Sequence, residues 1–128
     1  MSVNSREKGK RGELEFAQAL TKRGHPARRG QQFAGGGDSP DVVCESLPGI
    51  HWEVKRTQAC ALPHAAEVLH WEAQAQRDAA PNRLPAIAHR WDGCRTWFVR
   101  PLHPDGTRYW QTLDEFLSDH TNRKESQI

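Results

Sequence analysis

The spacing of apolar side chains predicts most of the elements. Glu13, Phe16, Ala17 and Leu20 recur at i, i+3, i+4 and i+7, so a helix over 5–24 carries one carboxylate on an otherwise apolar stripe. Gly24, with Pro26 behind it, supplies the stop. Residues 26–34 are ambiguous, with Ala27 to Phe33 readable as a polar edge strand, and Gly35 to Pro40 is a loop by composition. Asp41 to Glu45 and Ile50 to Arg56 read as two strands turning at Pro48-Gly49. The second alternates strictly, with Ile50, Trp52 and Val54 on one face and His51, Glu53 and Lys55 on the other. A second helix is predicted over 63–80, with Pro63 in its first turn. Ala86 to Trp91 and Cys94 to Arg100 are predicted strands joined by an Asp92-Gly93 type I′ turn. Thr112 and Glu115 form a capping box for a last helix from Leu113, whose apolar side is Leu113, Phe116 and Leu117. The polar tail from Asn122 to Ile128 is expected to fray. The order α-β-β-β-α-β-β-α predicts one α/β domain over residues 1–128, a mixed central sheet flanked by helices, with 1–8 as a basic arm.

The chain's 128 residues suit a single core that buries about two-thirds of the unfolded surface. No stretch approaches the roughly 18–20 apolar residues of a membrane span, and the first residues lack the apolar core of a signal peptide. A cytoplasmic protein without membrane association is expected. Three widely spaced cysteines, Cys44, Cys60 and Cys94, form neither a disulfide framework nor a CxxC pair, and no His/Cys spacing matches a zinc finger.

A formal charge of +2 hides an uneven distribution: +4 over 1–40, −3 over 41–80 and +1 over 81–128. Cationic residues following phosphates beside a carboxylate cluster holding metal would give that pattern, and so would an ordinary solvated surface.

Glu53 and Lys55 share one strand face about 7 Å apart, as an ion pair or as half of an active site. If the strands pair through Pro48-Gly49, Asp41 comes opposite Arg56, and a register shift or bulge would bring it nearer Glu53. Two carboxylates meeting there suit Mg²⁺ or Mn²⁺, and a nearby lysine can orient water or neutralise charge on phosphate. Asp38, in the glycine loop, is the second choice for the aspartate. Glu13, on an apolar stripe, needs a partner, a metal or the rim of a site. Arg6, Lys8, Lys10 and Arg11 crowd the chain's start, Arg28 and Arg29 lead into the glycine loop, and Arg56 follows Lys55. All are candidate phosphate contacts or solvated side chains. Trp52 is expected in the core. Trp71, Trp91, Trp97 and Trp110 could stack on bases or fill a dimer interface, with buried packing the default.

Pro40-Asp41 followed by Glu53-Val54-Lys55 resembles the PD-(D/E)XK nuclease signature. Lys8-Gly9, Glu13, Leu20 and Lys22-Arg23-Gly24 resemble the opening of archaeal-type Holliday junction resolvases and their phage relatives. The stretch from Trp71 to Ala79 and then Leu84 to Arg90 is similar to the second helix and following strand of the phage-type members. The resemblance, over about residues 7–100, implies a restriction-endonuclease-like αβββαβ core, a homodimer and Mg²⁺-dependent hydrolysis of DNA phosphodiesters, with Mn²⁺ as a substitute. It implies Asp41, Glu53 and the Val54 backbone carbonyl as metal ligands and Lys55 as the residue that positions water. Glu13 becomes an additional acid acting directly or through water, and Gln74 a helix glutamine near the site. The chain departs from the pattern where a serine-containing loop usually precedes the aspartate. Here Gly35-Gly36-Gly37 stands, where the backbone at Gly36 could approach a phosphate and Ser39 could supply the hydroxyl. The expected substrate is branched DNA, above all a four-way junction, in a prokaryotic or phage-infected cell. Cleavage of flaps, ends or single strands, and DNA binding without cleavage, are the competing readings.

Overall fold

A computed structural model describes residues 5–30 and 40–126. Helix α1 (Ser5–Lys22) is followed by β1 (Ala27–Arg29), β2 (Val42–Cys44), β3 (Ile50–Thr57), α2 (Ala65–Asp78), β4 (Leu84–Trp91), β5 (Phe98–Pro101), β6 (Gln111–Thr112) and α3 (Leu113–Ser126). The strands form one mixed sheet in chain order. β1, β2 and β3 run antiparallel to one another, β3 and β4 are parallel through the α2 crossover, and β5 and β6 continue antiparallel. The α/β class and the mixed, helix-flanked sheet expected from the sequence are therefore present, with β6 as an added edge strand.

The strict alternation in β3 divides the core into two layers. Trp52 faces Phe16, Ala17 and Leu20 of α1 and Leu113, Phe116 and Leu117 of α3. Its ring meets those of Phe16 and Phe116 edge-on at 4.8 and 5.5 Å. On the other side α2 sets Val68, Trp71 and Ala75 against Ile87 and Leu102.

Local signals end α1 and start α3 where expected, whereas α2 begins at Ala65 behind the N-cap His64, with Pro63 outside its first turn. The Gly24 and His25 amides donate to the Thr21 and Leu20 carbonyls at 3.1 and 3.0 Å, and Gly24 has φ +86°. This is a Schellman ending that needs a residue free to be left-handed. The capping box is reciprocal: Thr112 N–H donates to Glu115 Oε1 at 2.8 Å, and Glu115 N–H to Thr112 Oγ1 at 3.2 Å. The backbone is helical from Ser5 in α1 and as far as Ser126 in α3. No described helix is long and apolar enough to cross a membrane.

Two connections differ from expectation. Asp92-Gly93 does turn the chain, with Cys94 N–H donating to Trp91 C=O at 3.1 Å, but β5 begins only at Phe98, pairing with His89. β4 instead stays on β3 to its end: Asp92 N–H donates to Thr57 C=O at 3.1 Å and the Asp92 carboxylate takes Arg56. The other difference, between β2 and β3, shapes the candidate site.

Candidate active site

A hairpin centred on Pro48-Gly49 would set Asp41 opposite Arg56. The observed register pairs Val42 with Trp52, moving Asp41 three residues toward Glu53. Leu47 is the cause. It is buried (3% exposed), and turn bonds on both sides (Leu47 N–H to Cys44 C=O, Ile50 N–H to Leu47 C=O) make it the centre of the connection. The second of these turns is the one Pro48-Gly49 favours; the added Cys44–Leu47 turn, with the Leu47 side chain buried, moves the centre of the hairpin from Pro48-Gly49 to Leu47.

Asp41 N–H donates to Trp52 C=O at 2.9 Å, and Asp41 Oδ2 accepts the Val54 N–H at 2.8 Å. A strand residue sends its N–H and C=O to the same edge, so the Val54 carbonyl also faces the Asp41 side. Glu53 is almost wholly buried, and its Oε1 lies 3.0 Å from His51 Nε2. Two residues on, Lys55 Nζ donates to Gln74 Oε1 at 2.6 Å, because α2 lies over this face of β3.

Glu13 reaches the same region from α1. Its side chain is only 14% exposed, 3.7 Å from the Arg29 guanidinium, and Oε2 is shielded from solvent with no hydrogen bond among the described residues. Burial raises the Glu13 pKa, an effect that Arg29 only partly offsets and the charge of Glu53 reinforces. Burial, then the neighbouring charge of Glu53, pushes Asp41 up to about 7 against the Val54 hydrogen bond, which pulls the other way.

Three carboxylates and a backbone carbonyl are hard oxygen donors of the kind Mg²⁺ and Mn²⁺ prefer. The shielded Glu13 oxygen and the unfavourable Asp41 charge are both features that a cation would relieve. Among the described residues no three ligating side chains are already drawn together as a cage. Each carboxylate is instead held by a local partner: Val54 for Asp41, His51 for Glu53 and Arg29 for Glu13.

The candidate phosphate contacts divide. Lys10 and Arg11 are exposed on α1, and Arg28 is exposed 4.0 Å from Glu45. Arg29 leans on Glu13. Arg56 is committed internally, to Glu15 at 3.3 Å, to Asp92 and to the Thr57 carbonyl, and its side chain is only 18% exposed. The side chains of Arg6 and Lys8, and all of Gly36, Ser39 and Asp38, lie outside what the structure describes.

Two histidines were not singled out by the sequence. His51 shares a face with Glu53 two residues away, so the alternation itself was the available signal. His89 is fully buried. It accepts the Ala61 N–H through Nε2 at 3.1 Å and meets the Lys55 carbonyl through Nδ1 at 2.8 Å, which requires the Nδ1–H tautomer. Rings of Trp71, Trp91 and Trp110 surround it.

Comparison with protein-family models, with curated proteins and with solved structures gives no match for this chain.

Proposed function

We propose that this protein is a Mg²⁺-dependent, structure-selective DNA endonuclease of the PD-(D/E)XK kind, built on a restriction-endonuclease-like core and acting as a Holliday junction resolvase. The observation that carries the reading is the position of Asp41, immediately before β2, beside Glu53 on β3, held by the Asp41–Val54 hydrogen bond, with Lys55 two residues on along the same face of β3.

Asp41, Glu53 and the Val54 carbonyl would hold the metal, with Glu13 joining directly or through water. Mg²⁺ would supply Lewis acidity toward a phosphate oxygen. Lys55, steered by Gln74, would orient the attacking water and neutralise charge as it develops on the phosphate. Of the candidate phosphate contacts, Lys10, Arg11 and Arg28 are exposed and would follow phosphates. Two symmetric cuts in a junction require two sites related by a two-fold axis, hence a homodimer. Such an enzyme would work in the cytoplasm of a prokaryotic or phage-infected cell.

The test is cleavage of end-labelled four-way junction, matched duplex, flap and single strand, with Mg²⁺ or EDTA, alongside Glu53→Gln. Paired symmetric nicks in the junction, lost in EDTA and in the variant, are expected. Metal-dependent cutting of the other substrates alone would discard the junction and keep the chemistry. DNA binding without cutting, indifferent to metal, would overturn the reading.

A further inference from the structure

His51 and Glu53 form the most deeply enclosed polar pair beside the proposed metal site: side-chain exposures are 0% and 2%, and Nε2 lies 3.0 Å from Oε1. A carboxylate accepts and does not donate, so Nε2 carries the hydrogen. The terminal torsion of a glutamate is broad and nearly two-fold, so packing alone leaves the carboxylate plane poorly fixed. A ligand that must meet a metal at one angle needs that torsion held. Asp41 and Glu13 are held from other elements, by the Val54 amide and by Arg29, whereas Glu53 receives its restraint from its own strand.

We infer that His51 is a positioning residue for the metal site. Its Nε2–H fixes the Glu53 carboxylate so that Asp41 and Glu53 present their oxygens together. The inference deepens the nuclease reading and rests on it. At 51 the strand face points into the interior, where an unpaired imidazole would be costly. The bond to Glu53 offsets part of that cost.

The experiment measures Mn²⁺ binding to the DNA-free protein by calorimetry, together with single-turnover junction cleavage. The wild type, His51→Gln, His51→Asn and His51→Ala are compared, with folding checked by circular dichroism. Gln places its amide nitrogen near the position of Nε2, whereas Asn is too short. The expected result is Mn²⁺ affinity reduced by about 10-fold or more in His51→Asn and His51→Ala, the usual size of outer-shell effects. Affinity should be largely restored in His51→Gln. The cleavage rate should fall in the same order at saturating Mn²⁺, with DNA affinity unchanged. A merely structural role would lower the melting temperature of all three variants without separating Gln from Asn in metal affinity. Equal Mn²⁺ affinity in folded His51→Gln and His51→Asn overturns the inference while leaving the nuclease reading intact. A wild type that neither binds Mn²⁺ nor cuts overturns both.

Discussion

Lys55 Nζ donates to Gln74 Oε1 at 2.6 Å, joining the strand that bears the acidic residues to the helix that crosses over it. A lysine with a four-carbon stem samples many positions, and the glutamine restricts it to one. Lys55→Ala should lower the single-turnover cleavage rate by about 10²–10³-fold with DNA affinity nearly unchanged, the scale for loss of a charge-stabilising group. Gln74→Ala should produce a smaller loss of the same kind. Equal rates in Gln74→Ala and wild type would show that the contact orients nothing.

Asp41 predicts an unusual pH response. Its folded pKa, about 7, lies above the ordinary value of 3.8, chiefly through burial and then the charge of Glu53. The folded state therefore holds a proton that the unfolded chain releases between about pH 4 and 7, and the stability contributed by Asp41 falls as pH rises through that window. At about 1.4 kcal/mol per pKa unit, the effect is of the order of a few kcal/mol. Asp41→Asn should raise the melting temperature of the metal-free protein at pH 8, and the advantage should vanish near pH 4. Melting curves in EDTA at both pH values decide it. A variant no more stable at pH 8 would mean that the carboxylate is better solvated than its surroundings suggest.

What could be read from the chain was local. The face assignment of β3, the Gly24 ending and the Thr112–Glu115 box each depend on residues within five positions of one another. The meeting of Asp41 with Glu53 was only partly legible, because register depends on how many residues the turns between the strands take up. The Pro48-Gly49 turn forms, but a second turn, Cys44–Leu47, precedes it and moves the register. The late start of β5 was hidden for a similar reason. Arg56 draws Asp92 toward β3, and the Trp91 and Phe98 rings stack at 5.5 Å across the opened connection. The crowding of Gly12 on Arg56 is also a long-range fact, since a Cβ at Gly12 would lie 2.5 Å from that of Arg56.

His89 should act in the opposite sense to Asp41. Burial lowers its folded pKa below 6.5, outweighing the Lys55 carbonyl and the charge of Glu67, while Arg56 adds to the lowering. The unfolded chain therefore binds the proton more readily, and the stability attached to neutral His89 is lost as pH falls below about 6.5. His89→Gln should flatten that acid limb while lowering stability at pH 8 by about 1–3 kcal/mol, through the hydrogen bonds to Ala61 and Lys55 that it weakens. Urea unfolding at pH 5 and pH 8 would reveal it. An unchanged acid limb in the variant would assign that limb to other groups.

Salt dependence should sort the arginines. Arg28→Ala removes an exposed cation and should reduce the slope of log affinity for junction DNA against log salt by about 1, without loss of stability. Arg56→Ala breaks the links to Glu15 and Asp92 and should cost about 1–2 kcal/mol, between the values for exposed and buried pairs, with the salt slope unchanged. A reduced slope in Arg56→Ala, with stability intact, would place Arg56 on the DNA instead.

Gly30 offers the most direct structural test of how Asp41 is placed. Its N–H donates to the Asp41 carbonyl at 2.8 Å, and a Cβ there would lie 2.0 Å from the Pro40 carbonyl oxygen. Backbone, unlike the tip of a flexible side chain, cannot step aside. Gly30→Ala must therefore part β1 from the segment leading into β2 and shift Asp41 away from Val54. The expected cost is about 1–3 kcal/mol in urea unfolding, as for other overpacked sites, with a larger proportional loss of Mn²⁺ affinity than of stability. Gly49→Ala is the control, since nothing lies within 4 Å of its Cβ position, and it should change stability by less than about 0.5 kcal/mol. If the two variants bind Mn²⁺ alike, the close approach of Gly30 to Pro40 has no part in setting the carboxylate.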